Sequence, residues 1–79
     1  MNQKFPNIVA TPGIVSGRPR IINTRLSVEF ILGLMSDGSS VENIVSAYPQ
    51  LTVEQVREAI RFATDSLLQN HFVEFHKTS

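Results

Sequence analysis

The chain has no cysteine, which removes disulfides and every thiolate metal site from the means of holding it together. It also lacks any apolar run near the roughly 20 residues needed to cross a bilayer. Its opening, Met1-Asn2-Gln3-Lys4-Phe5-Pro6, has no apolar stretch of the signal-peptide kind, so a cytoplasmic protein without a membrane partner is expected. No one sign of charge dominates: the formal net charge at pH 7 is zero, which argues against a broad electrostatic grip on nucleic acid. What remains is one domain of 79 residues, a size at which only about 60% of the unfolded surface is buried. Without disulfides or a metal, so short a chain is expected to draw stability from a second subunit.

Acid is absent from the whole first third. Up to Ser27 the chain carries Lys4, Arg18, Arg20 and Arg25, a net +4, whereas Arg57, Arg61 and Lys77 oppose seven acids from Val28 onward, a net −4. A basic arm on an acidic body can serve a neighbouring subunit or an anionic partner such as DNA.

The arm (residues 1–26) reads as strand and turn. Ile8-Val9-Ala10, Ile14-Val15 and Arg20-Ile21-Ile22 are short β-branched runs, separated by Thr11-Pro12-Gly13 and by Ser16-Gly17-Arg18-Pro19. Gly17 suits a positive φ, and Pro19 suits an edge or a strand start. Such short strands are not stable alone, so Ile8, Val9, Ile14, Ile21 and Ile22 are expected to build a sheet between two subunits.

From Ser27 the period becomes helical. Val28, Ile31, Leu32 and Met35 make one buried stripe, closed by Asp37-Gly38. Ser39 and Glu42 form a capping-box pattern ahead of Val41, Ile44, Val45 and Tyr48, and Pro49 stops that helix. A further box, Thr52 with Gln55, opens the longest helix, whose inward stripe reads Val53, Val56, Ile60, Ala63 and Leu67. The expected fold is therefore mainly α: a three-helix helix-turn-helix bundle over residues 27–70. It follows a short N-terminal β-arm, is paired in a dimer and carries a tail over 71–79.

The run Ile14-Val15-Ser16-Gly17-Arg18-Pro19-Arg20-Ile21-Ile22-Asn23-Thr24-Arg25-Leu26-Ser27-Val28 resembles the opening motif of domain-of-unknown-function family 433. So do Asp37-Gly38-Ser39-Ser40-Val41-Glu42-Asn43-Ile44 and Tyr48-Pro49-Gln50-Leu51-Thr52, and the likeness runs from Ile8 to Ala63. The family pattern has Gly-Gly before the basic residue and proline, and Gly-Thr-Arg after the isoleucine. Ser16 and Asn23 each stand where that pattern has a glycine, and Asn tolerates the left-handed region best among the other residues. The resemblance implies a homeodomain-like core behind a β-arm, dimerisation, and an antitoxin-like role beside a PIN-like nuclease.

No phosphate loop, nucleophile elbow or cysteine nucleophile is present, so neither enzyme chemistry nor a cofactor is expected. His71 and His76 are five apart, not the i, i+4 of a helical zinc pair, and no metal is expected. Glu54 and Glu58 alternate with Arg57 and Arg61 and read as a salt-bridged helix face. For duplex DNA, Thr52, Gln55 and Arg57 lie at the start of the would-be recognition helix. There Gln55 suits adenine and Arg57 guanine. Arg18, Arg20 and Arg25 of the arm would grip phosphates, with Pro19 keeping its two neighbours turned outward. Against this, Thr52 and Gln55 also form a capping box, Glu54 would repel phosphate, and Arg25 lies within reach of Glu29. Phe62, Phe72, Phe75 and Leu68, off the main stripe, suit dimer or core packing, or a protein partner if exposed. Two functions follow: a DNA-binding, antitoxin-like regulator, or a module that binds a PIN-like partner without touching DNA.

Overall fold

The computed structural model describes residues 4–69. Two strands, β1 (Ile8–Val9) and β2 (Arg20–Ile21), precede three helices, α1 (Val28–Ser36), α2 (Val41–Ala47) and α3 (Val53–Gln69). The strands pair antiparallel, Ile8 opposite Ile21 and Val9 opposite Arg20. Side chains alternate across a ribbon, so Ile8 and Ile21 share one face. That face packs on the helices: both isoleucines join Phe5, Val28, Ile31, Ile44, Leu51, Val56 and Ala59 in one core.

The hairpin is thus a layer of the chain's own core, not a free arm. Ile8 and Ile21, expected between subunits, are 5% and 0% exposed within one. Val9, Ile14 and Ile22 are half-buried. The middle expected strand, Ile14-Val15, is replaced by a left-handed turn over Val15–Gly17. Gly13, Val15, Ser16 and Gly17 all have φ between +51° and +86°, and backbone in that region cannot extend.

Each helix boundary has a local cause. Ser27 Oγ accepts from Phe30 N at 2.9 Å and caps α1. At the other end Gly38 (φ +105°) donates to Met35 O, and Ser39 N donates to Leu34 O, both at 3.0 Å. That is a Schellman closure. It occupies Ser39, so the box that opens α2 falls one residue later than the sequence pattern suggests, on Ser40 and Asn43 rather than on Ser39 and Glu42. The Thr52–Gln55 box that opens α3 is as read from the sequence, its two reciprocal bonds each 3.1 Å. Between α2 and α3, Leu51 N donates to Tyr48 O, and the Leu51 side chain is 2% exposed. The turn is therefore tight and anchored.

Candidate interaction surfaces

α3 buries two faces. Val56 and Ala59, with half-buried Ala63, join the helical core, whereas Ile60, expected on the same stripe, lines a groove beside Phe5. Gln55, Glu58, Ala59 and Phe62 follow the same i, i+3, i+4, i+7 spacing and turn to the N-terminal segment. Phe5 packs edge-on against Phe62, with centroids 5.4 Å apart. Glu58, read as part of an exposed charged face, is 4% exposed. Its Oε2 accepts from Asn7 N at 2.7 Å and its Oε1 from Asn7 Nδ2 at 2.9 Å. Gln55 Nε2 in turn donates to Asn7 Oδ1 at 3.3 Å. A second helical stripe through Ala59 and Phe62 is the sequence signal for this face. Nothing in the sequence marks Asn7 as its partner.

Gln55 is accordingly held twice, by the Thr52 cap and by Asn7, and its amide is not free to meet a base. Thr52 and Arg57 are exposed. Arg61 pairs with Glu54 at 2.6 Å across the outer face of α3, rather than with an acid one turn away.

The three arm arginines part company. Arg18 is exposed and forms an ion pair with Glu29, the acid expected to hold Arg25. The exchange has a backbone cause: Val28 N donates to Pro19 O at 2.9 Å, laying Arg18 beside the first turn of α1. Arg25 stays exposed. Arg20, expected to point outward beside Pro19, is only 9% exposed. It lies on the ribbon face opposite Ile21, where the β1–β2 loop folds back over it. Its Nη1 donates to Thr24 O and its Nη2 to Thr11 Oγ1, each at 3.1 Å.

Two apolar features reach the surface. Past Ala63, α3 leaves the body that covers its inner stripe. Leu67, expected inside, is 61% exposed, with Leu68 beside it at 51%. Leu68 also borders an open groove of about 440 Å³ with Phe5, Ile60 and Thr64. The groove's rim is charged, carrying Arg61 and the Lys4–Asp65 pair, 3.3 Å apart. Phe30, 41% exposed, packs edge-on against Tyr48 where α1 meets the end of α2. Among the described residues no three His, Cys, Asp or Glu side chains gather as a metal site would need, and no helix is long and apolar enough to cross a membrane. His71, His76, Phe72 and Phe75 lie outside the described residues.

The family model described as Protein of unknown function (DUF433) matches residues 8–63. No curated protein matches the chain. Among solved structures, the chain is similar to the crystal structure of a DUF433 member protein from Anabaena variabilis ATCC 29413, with 28% identity and a TM-score of 0.71. The likeness covers 90% of this chain and 66% of that one, so this chain spans just under two thirds of that protein's length.

Proposed function

The chain belongs to the DUF433 family, whose function is unknown, and from that premise we propose that it is a protein-interaction module of antitoxin-like kind. It binds its partner through the outer half of α3. One observation carries this reading: the stripe that packs α3 into its own core continues past Ala63 as Leu67, which lies in solvent with Leu68 and the Phe5–Ile60 groove beside it. Burying a leucine is worth roughly 1.5–3 kcal/mol, so a partner covering both gains several kcal/mol without disturbing the fold. The PIN-like nuclease implied by the family resemblance is the partner of choice, met in the cytoplasm.

A DNA-binding regulator is the second reading, favoured by the short α2, the tight turn, and exposed Arg25 and Arg57 on a helix-turn-helix outline. Its contact set is thinner than the sequence suggests. Arg20 is buried, Gln55 is held by Asn7, and Arg18 and Arg61 are each paired with an acid.

Co-expression with a PIN-like nuclease encoded beside the gene, followed by calorimetric titration of the purified pair, tests the first reading. We expect a complex whose affinity falls at least tenfold, about 1.4 kcal/mol, in Leu67→Ser/Leu68→Ser. Unchanged affinity in that variant would remove α3 as the docking face. Fluorescence anisotropy against duplex DNA from upstream of the gene covers the second reading. Salt-sensitive binding lost in Arg25→Gln/Arg57→Gln would establish a regulator instead.

A further inference from the structure

Arg20 presents an unusual balance of charge. The residue is nine-tenths buried, yet both partners of its guanidinium, Thr24 O and Thr11 Oγ1, are neutral, and its Nε is buried without a partner among the described residues. Buried charges are costly to leave without a counter-charge. Four of the described carboxylates answer to other groups: Glu29 to Arg18, Glu54 to Arg61, Asp65 to Lys4, and Glu58 to Asn7. Asp37 and Glu42 lie elsewhere, at the end of α1 and the start of α2.

The carbonyl that receives Arg20 leads directly into Arg25, which is exposed and takes part in none of these ion pairs. One short turn therefore carries two cations and no acid. That turn is also firm. Ile21 N donates to Leu26 O at 3.0 Å across its mouth, and Thr24 Oγ1 donates to Ile21 O at 2.8 Å while accepting from Leu26 N at 3.1 Å. On the other side of the guanidinium stands the Thr11 loop, whose next residues include Val15 and Ser16 at φ +51° and +55°. A β-branched residue at positive φ is a strained one, and this loop carries it at Val15.

We propose that the Arg20–Arg25 turn is a binding site for a phosphate group. Arg20 supplies a planar fork of donors from beneath, and a phosphate oxygen takes the place of Thr11 Oγ1 and reaches Nε. Arg25 closes on the group from the solvent side. Two uncompensated cations match the charge of −1.5 to −2 that a phosphate monoester carries near neutrality, and they also hold a phosphodiester. The source is a free phosphate compound or, once displacement of Thr11 uncovers the buried Arg20 fork, the backbone of a nucleic acid, a source that rests on the second reading above. The site does not depend on the α3 docking surface, which lends it no residue.

The test is an NMR titration of the whole chain with inorganic phosphate, against sodium chloride at matched ionic strength, following the Arg20 Nε–H and the Thr11 and Thr24 amides. A saturable shift of all three is expected with phosphate only. In Arg25→Gln, a surface change that leaves the fold alone, the Kd should rise about tenfold, as for one lost charge-assisted contact. Arg20→Lys, if folded, should bind more weakly still, since an ammonium lacks the fork. A short DNA duplex then separates the sources. If it displaces phosphate at these signals, nucleic-acid phosphate is the ligand; if it does not, a free phosphate compound is. A response to phosphate no different from that to chloride, or a saturable one that leaves the Arg20 Nε–H unmoved, would overturn the proposal.

Discussion

Glu58 holds the N-terminal segment to α3 with both carboxylate oxygens. Its acceptors meet two donors, Asn7 N and Asn7 Nδ2. A glutamine there keeps one acceptor and turns an NH₂ toward a donor, leaving a buried group unsatisfied at a cost of about 1–3 kcal/mol. Glu58→Gln should therefore lower the thermal midpoint by roughly 5–20 °C for a domain of this size. Differential scanning fluorimetry measures it, and a midpoint within a degree of wild type would show that the carboxylate is not the anchor. Ser16 and Asn23 make the opposite case. Both occupy positions where the family pattern has glycine, and both have positive φ, +55° and +65°. A left-handed conformation costs an ordinary residue about 1–2 kcal/mol, of which glycine's greater unfolded entropy takes back about 0.4–1 kcal/mol. Ser16→Gly should gain up to about 1.5 kcal/mol in urea denaturation, whereas Asn23→Gly should be near neutral because Asn tolerates that region. An equal gain at both sites would contradict this account.

At the scale of the element, the caps show what could be read from the sequence and what could not. Thr52 and Gln55 are four residues of local pattern, and their box forms where the pattern puts it. The α2 box slips by one because two such patterns overlap, and the closure of α1 takes the Ser39 N–H first. Gln55 then acquires a bond to Asn7, 48 residues away, which no local pattern announces. The same division runs through the rest. The three helices, the left-handed residues Gly17, Asn23 and Gly38 and the Pro19 strand start depend on near neighbours and were legible, whereas the turn at Val15 and Ser16 begins in a β-branched run that reads as a strand. The inward turn of Arg20, the Arg18–Glu29 pair and the exposed Leu67 depend on where the hairpin lies and where the body ends. The two boxes also differ measurably. Asn43→Ala loses a cap partner only, whereas Gln55→Ala loses a cap partner and a hairpin contact. Gln55→Ala should cost the more, by about 0.5–1.5 kcal/mol, one net hydrogen bond, as chemical denaturation would show.

For the whole molecule, the hairpin sets what the helices can do. By covering one side of α3 it commits Phe5, Asn7 and Ile8 inward, and among the described residues no layer covers Leu67 and Leu68 on the last turns of that helix. Among the described residues the core holds nine buried apolar side chains, and domains of this length seldom hold more than about 3–5 kcal/mol from such a core. A partner that binds only the folded chain then alters stability on the same scale. At a free concentration one hundred times its Kd it adds about 2.7 kcal/mol, a rise in midpoint of roughly 10–20 °C. Leu67→Ser/Leu68→Ser should abolish most of that rise while leaving the midpoint of the free chain within about 0.5 kcal/mol of wild type, the usual range for exposed positions. Thermal scans of both proteins, alone and with the PIN-like nuclease, distinguish the two roles these leucines could have. If the double variant lowers the free midpoint sharply, the leucines belong to the chain's own stability, through its fold or a second copy of itself, and the docking face must be sought at Phe30 and Tyr48.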